Sequence, residues 1–458
     1  MAVAAFFAVM ARGASADTLI WALTQAYQNN PQLNAQRAAV RAADENVPQA
    51  LSGYRPRISL TASLAEAYTD VKTRSTTGSV TTYTNTRGWN AAQTYGGTVT
   101  QTLFNGLQTA SRTRQAESLV SSARETLRLT EQTVLLSAVT AYMNLLRDAA
   151  ILELQKRNVE VLQEQLRQVR DRFNVGEVTR TDVAQSESRL AAGRSSMLSA
   201  ESNYTTSRAA YRQVIGIEPG KLAPGTPVDR LSPSLLPQAV VEARARHPSV
   251  TTAMFNVDAA VFQVKIAESS LYPTLNLVGT AQKTFGSTTS LNTLETLSAS
   301  IAGQVSVPVY QGGQEYALIR QAKETMGQRR IDLDTAREQA QQTVVQSWGQ
   351  LAAAKAQIQA TQAQVTAAEI ALNGVREEAR VGQRTTLDVL NAQQELVNAR
   401  VALVTAQRDR VVASYSLLSA VGRLSMPVLS LPVSIYDPMA HYQQVRDSWA
   451  GVRTPDGR

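Results

Sequence analysis

VGQRTTLDVLNAQQEL occupies residues 381–396, and VGEVTRTDVAQSESRL occupies residues 175–190. Each opens with Val-Gly, places an Asp six residues after the Gly and runs on into polar, helix-like sequence; the two lie 206 residues apart. A turn written twice at that distance raises the question of whether the whole chain is written twice. The spacing of other landmarks answers it. Asn30-Pro31 and His247-Pro248 each open a helix-like segment, with Pro at the favoured first position. Pro31 to Pro56 and Pro248 to Pro273 are both 25 residues, and the second prolines sit in the matching phrases YRPRISL and LYPTLNL. LFNGLQ (103–108) matches VYQGGQ (309–314). Gly106 to Gly176 and Gly312 to Gly382 are both 70 residues, and Gly176 to Gly216 and Gly382 to Gly422 are both 40. Only the interval from Pro56 to Phe104 differs, being 11 residues longer than its partner from Pro273 to Tyr310.

The chain therefore reads as an internal tandem duplication with one elastic loop. Repeat 1 spans 17–217 and repeat 2 spans 237–423, followed by a tail at 424–458. Pro219, Pro224, Pro227 and Pro233, with Pro237 directly after, make the intervening 218–236 an extended strap.

The 70-residue intervals contain no Pro, so a helix filling most of one would be about 100 Å long. Such helices are expected at 107–174 and 313–380, with return helices at 179–215 and 385–421. Ala138, Leu145, Leu152, Val159, Leu166 and Phe173 recur every seven residues. Val344, Leu351, Ile358, Val365, Leu372 and Ala379 repeat that series 206 residues later. A strict heptad seam implies left-handed coiled-coil packing.

The unequal intervals alternate with period two, the strand signature. Leu297, Ala299, Ile301, Val305, Val307 and Val309 alternate with Ser298, Ser300, Ala302, Gln304, Ser306 and Pro308. Tyr95, Val99 and Leu103 alternate with Thr94, Thr98, Thr100 and Thr102. Two hairpins follow, at 57–104 and 274–310, with Thr/Ser/Gly loops expected at their tips over 71–89 and 284–296. Alternating strands of about ten residues fit a transmembrane barrel as well as a half-buried soluble hairpin. Four strands cannot close a barrel, and open edges cannot face lipid. Two chains would supply eight strands, whose interior side chains fill; passage favours three or more chains.

Composition narrows the function. Aromatics are 5% of the chain, which suits thin, closely packed helices. The net charge of +8 is spread among acidic residues without a basic block, which argues for a solvated surface and against nucleic-acid binding. The absence of cysteine excludes disulfides, thiolate metal sites and thiol nucleophiles. His247 and His441 have no partner at metal-ligand spacing, and His247 reads as a cap ahead of Pro248. No cofactor or metal site is expected. No G-x-S-x-G elbow, H-E-x-x-H motif or phosphate-binding Gly loop is present, so catalysis is not expected. MAVAAFFAVMARGASA (1–16) ends in Ala14-Ser15-Ala16, a small-x-small pattern that reads as an export signal. After Asp17 no run is expected to reach the roughly 18 apolar residues of a membrane helix.

Order, spacings and turn motifs together resemble the TolC-like outer-membrane channel family. The residues that carry this are FNVGEVTRTDV (173–183), VGQRTTLDVL (381–390), NNPQL, YRPRISL, LFNG and their second-copy partners. The tail YDPMAHYQQVRDSW (436–449) is similar to those of the type I secretion branch. The resemblance implies a mainly α fold with a small β part: a homotrimer with an α-helical barrel in the periplasm and a twelve-stranded transmembrane β-barrel in outer-membrane lipid. It implies an exit duct for type I protein secretion, multidrug efflux or both. The partners it implies are a periplasmic adaptor (membrane fusion) protein and an inner-membrane ABC or proton-driven transporter.

By the same resemblance, Asp388 takes an entrance aspartate position, and Asn391 stands where the family has a second one. Three copies of one carboxylate around an axis would favour cations, more weakly here than with two. Arg384 matches the arginine that ties this coil to its neighbour in the closed state, with Thr181 and Asp182 at the facing positions, so these would be the contacts that hold the entrance gate shut; Ala379 stands where a tyrosine is usual. Val175, Gly176, Val381 and Gly382 match the adaptor-docking tip turns. From the residues alone, Gly176 and Gly382 end helices, and Thr179-x-x-Asp182 and Thr385-x-x-Asp388 fit capping boxes. The alternative is an exported coiled-coil scaffold or adaptor without a pore, which leaves the two alternating hairpins unexplained.

Overall fold

A computed structural model describes residues 17–286, 295–455 and 457. The signal-like segment 1–16 and most of the second expected hairpin tip lie outside the described residues. The first repeat opens with helices α1 (Leu19–Asn29), α2 (Pro31–Asp44) and α3 (Asn46–Leu51). It continues with strands β1 (Arg57–Thr77) and β2 (Val80–Asn105), then helices α4 (Gln108–Asn174) and α5 (Arg180–Ile215). The second repeat contains α6 (Leu236–Arg246), α7 (Pro248–Glu268), β3 (Thr274–Phe285), β4 (Glu295–Ser306), α8 (Gln314–Arg380) and α9 (Thr386–Ala420). Helix α10 (Pro438–Val445) lies in the tail.

Helices α4 and α8 are each 67 residues long, about 100 Å at 1.5 Å per residue. Their seams are buried along most of their length: Ala138, Leu145, Leu152, Val159 and Leu166 in α4, and Val344, Leu351, Val365 and Leu372 in α8. Phe173, the last member of the first seam, is instead 42% exposed.

The chain divides into two compact units. Of the described residues, one takes in 17–40, Ala123–Ala253 and Asp332–Pro438. Its largest core joins Leu23, Tyr27, Leu135, Tyr142, Tyr211, Ile215 and Leu418. The Pro-rich strap is pinned there by a bridge between Asp17 and Leu222, and the Tyr142 hydroxyl lies 2.7 Å from the Asp17 carbonyl and 2.6 Å from that of Ala223. His247, half-buried at the start of α7, accepts from the Ser249 amide at 3.3 Å. One window within α4 is apolar enough to cross a membrane, contrary to expectation. Half of it is buried inside the fold, and Val134, Leu135, Val139 and Met143 of α4 belong to this core. Core burial thus accounts for its hydropathy.

The other unit comprises Arg41–Ser122, Met254–Ile331 and Met439–Arg458. A small core of Val47, Ala116 and Val120 packs with Tyr442 of α10, and His441 meets the fully buried Asp44 at 3.0 Å. Among the described residues, the unit's four strands form one antiparallel sheet in the order β1-β2-β3-β4.

Register sorts this sheet into two faces. On one, Ile58 pairs with Val99, Val99 with Gly279 and Gly279 with Ile301. On the other, Ser59 pairs with Thr98, Thr98 with Thr280 and Thr280 with Ser300, the last two hydroxyls lying 2.8 Å apart. The expected tip loop at 71–89 is corrected. Strand pairing runs on to Thr77 opposite Val80, leaving only Gly78 and Ser79 as the turn, with Gly78 at φ 62°. The Thr-rich composition looked loop-like, but β-branched Thr favours the pleated surface, and cross-strand Thr pairs such as Thr76–Thr81 sustain the ladder.

Candidate functional site

The two tip turns are built alike. After α4, the Gly176 amide donates to Phe173 at 3.0 Å and the Glu177 amide to Arg172 at 2.9 Å. After α8, Gly382 donates to Ala379 at 3.2 Å and Gln383 to Glu378 at 2.9 Å. This pair of bonds is the Schellman closure, which requires a left-handed residue; Gly176 and Gly382 supply φ of 83° and 81°. Val175 and Val381 stand exposed at the turns, 73% and 72%.

Thr179 and Asp182 form a reciprocal capping box that opens α5, and Thr385 and Asp388 form one that opens α9. The backbone and hydroxyl of Thr385 hold the Asp388 carboxyl below its ordinary value, with Arg384 adding to the effect. Asp182 is lowered in the same way by the Thr179 hydroxyl and then its amide. Neither carboxylate needs a partner chain to remain ionised.

Arg384 does not reach Thr181 or Asp182 of its own chain. Its Nε donates to Glu378 Oε2 at 2.8 Å, an exposed ion pair across the Schellman turn, and this holds the guanidinium above its ordinary value. Copy one has the analogous pair Arg172–Glu177 at 2.9 Å. Glu378 was not singled out from sequence, although Arg/Glu pairs flanking both Val-Gly turns were a readable signal.

Asn391 is not isolated either. Arg189 of α5 donates from Nη2 to Asn391 Oδ1 of α9 at 2.6 Å. Beside this bond, Leu390 is only 2% exposed and packs with Val159, Leu162, Leu166 and Leu190 of the first repeat. No local pattern announces Arg189 or Leu390, because the contact joins residues 202 apart. Among the described residues no cluster of His, Asp and Glu is arranged to hold a metal ion.

The sheet is the second functional element. Ile58, Leu60, Leu64, Leu297, Ile301 and Val305 are exposed by 63–85% on the apolar face. Tyr68 and Trp89 stack edge to face, with ring centroids 5.5 Å apart, two same-face rungs beyond Leu64, past the Glu66–Ala91 rung. An exposed apolar band on an alternating sheet, with aromatics beyond one end, has the character of a lipid-facing barrel wall. The family model for outer membrane efflux proteins matches residues 22–217 and 239–423, one segment for each repeat.

The chain belongs to the outer membrane efflux protein family. Relatives agree along nearly its full length. The chain is similar to the outer membrane efflux protein BepC of Brucella suis, at 41% identity over 98% of this chain and 94% of that protein. It is also similar to the outer membrane protein TolC of Escherichia coli, at 26% over 93% and 86%. Similarity to the alkaline protease secretion protein AprF of Pseudomonas aeruginosa is 25% over 89% and 85%. The fold matches the CmeC outer membrane channel of Campylobacter jejuni with TM-score 0.77 at 16% identity, covering 94% of this chain and 89% of that one. It matches VceC of Vibrio cholerae with TM-score 0.73 at 21%, covering 88% and 96%. As an outer membrane efflux protein the chain resides in the outer membrane.

Proposed function

We propose that three copies of this chain assemble into a channel-tunnel that carries cargo out through the outer membrane. The observation that carries this reading is the sheet, with an apolar face, a Ser/Thr face and two unpaired edge strands, β1 and β4. A lipid-exposed edge leaves its amides and carbonyls unsatisfied at several kcal/mol each, so β4 of one copy pairs with β1 of the next until the ring closes. Three chains give twelve strands and a lumen lined by Thr98, Thr280, Ser300 and their neighbours.

The long helices then form the periplasmic tunnel, with their tip turns at its entrance. Three Asp388 carboxylates and three Asn391 amides form the aperture. Arg384 reaches Thr181 and Asp182 of the adjacent chain when the entrance is closed, exchanging its exposed partner Glu378 for them. The exposed turns at Val175, Gly176, Val381 and Gly382 dock a periplasmic adaptor, which links the channel to an inner-membrane ABC or proton-driven transporter. Relatives named for efflux and for protease secretion support small molecules or proteins as cargo.

The test is planar-bilayer recording of the purified protein with its mass in detergent. A mass of three chains and discrete ion conductance are expected. A monomer without conductance would leave the pore-free scaffold instead. In the same assay Arg384→Ala should raise the open probability; unchanged opening would remove the gate assignment.

A further inference from the structure

The structure joins the aperture position Asn391 to a residue of the other repeat, and the duplication is broken at that place. Arg189 Nη2 donates to Asn391 Oδ1 at 2.6 Å, with the arginine half-buried between α5 and α9. The residue 206 positions after Arg189 is Glu395, so the second repeat carries the opposite charge there. Neighbouring contacts, by contrast, keep their symmetry: Arg170 binds Glu187 at 2.6 Å, and Arg376 binds Gln393, the same position one repeat later, at 3.1 Å.

The contact is held in place. Leu190 and Leu390, each adjacent in sequence to one of the bonded residues, are 7% and 2% exposed in one shared cluster. This packing fixes where the two helices face each other and therefore where the guanidinium sits. Arginine stays protonated at every pH a membrane channel meets, and its planar donor fork suits an amide oxygen. Asn391 can only accept this charge, not neutralise it.

We propose that Arg189 is a selectivity residue of the entrance. Docked on Asn391, it brings one positive charge per chain to the level of Asp388, whose carboxylate lies one helical turn away along α9. In the trimer on which this inference rests, three guanidiniums offset three carboxylates. The aperture then has alternating charge and little preference for cations over anions, although Asp388 is ionised. Charged cargo of either sign can enter without a net electrostatic barrier at the constriction.

The experiment is the reversal potential of single channels in a planar bilayer under a salt gradient, comparing wild type, Arg189→Gln and Arg189→Cys. The natural chain has no cysteine, so a thiol reagent labels position 189 alone in the assembled channel. Arg189→Gln should raise the cation-to-anion permeability ratio by about sevenfold, since one unit charge roughly 7 Å away in water shifts cation and anion by about threefold each in opposite directions. Arg189→Cys should do the same, and a cationic thiol reagent should return it to the wild-type ratio while a neutral reagent of equal size does not. A ratio unchanged in both variants overturns the inference, as does equal restoration by the neutral reagent, which would make the role one of packing. Absence of any conductance from wild type would instead bring down the channel reading itself.

Discussion

Thr385 and Asp388 hydrogen-bond each other in both directions: the Asp388 amide donates to the Thr385 hydroxyl oxygen at 3.2 Å, and the Thr385 amide donates to the Asp388 carboxylate at 3.0 Å. The residue proposed to face the aperture is therefore also the cap of its own helix. These bonds favour the ionised carboxylate, first through the Thr385 backbone and then through its side chain, so the folded pKa lies below the ordinary 3.8. A depressed pKa means that the stabilisation is present above the unfolded value and is lost as pH falls through the folded one. Acidification from pH 7 to pH 5 should leave the charge at Asp388 and the start of α9 intact, because the carboxyl titrates below its ordinary value. Reversal potentials recorded across that range should show no titration assignable to Asp388, judged against Asp388→Asn. A step centred at pH 5 or above and abolished by Asp388→Asn would contradict the capping account.

The cap hydroxyl has its own test. Thr385→Ala removes the acceptor for the Asp388 amide, and loss of such an N-cap costs about 1 kcal/mol. The return helix should fray at its first turn while the long helices hold. Limited trypsin digestion should cut after Arg384 several-fold faster than in wild type. Equal cutting rates would show that packing beyond the cap, not the box, sets the order of the tip.

Two adjacent residues of β4 test the sheet assignment. Ile301 is 82% exposed on the apolar face, whereas Ser300 lies opposite Thr280 on the hydroxyl-bearing face. Ile301→Arg places a charge against lipid at a cost of about 2–4 kcal/mol near the membrane midplane, while the lumen face is wet. Ile301→Arg should greatly reduce the trimer recovered from outer membranes, and Ser300→Arg should leave its yield near wild type and alter conductance. Comparable yields for both would mean that the apolar face does not meet lipid.

The parts legible in the sequence were those set by period and spacing. Equal Gly and Pro intervals exposed the duplication, heptads such as Leu145–Leu152–Val159 exposed the long helices, and alternation around Ile301 exposed the strands. Each of these is a local rule repeated many times. The misreadings came where composition stood in for geometry. Thr81, Thr82 and Thr84 looked like loop residues, yet all lie in the continuous β1–β2 ladder. The apolar middle of α4, whose seam residues Ala138 and Leu145 were legible as packed, is core beneath α1, α5 and α9. Around the tip, the caps were readable from Thr-x-x-Asp spacing. The Arg189–Asn391 bond was not, because it depends on how two return helices from different repeats meet.

Leu390 gives the tip its packing counterpart to these polar contacts. It is 2% exposed, and it packs against Val159, Leu162 and Leu166 of α4 and Leu190 of α5, tying the start of α9 to the first repeat. Leu390→Ala removes three carbons from this cluster and costs about 2–4 kcal/mol where the site cannot collapse. The long helices are anchored elsewhere by the larger core around Tyr142 and Leu418, so the loss should stay local to the tip. The expected result is a protein that still assembles and inserts, but whose entrance is open for a larger fraction of time at the same unit conductance. Single-channel recording separates the two quantities. Leu403, which packs with the second repeat's own cluster further along α9, supplies the control: Leu403→Ala should lower thermal stability without a matching rise in opening. If both variants opened the channel equally, general loosening of α9 rather than the Leu390 contact would govern the entrance.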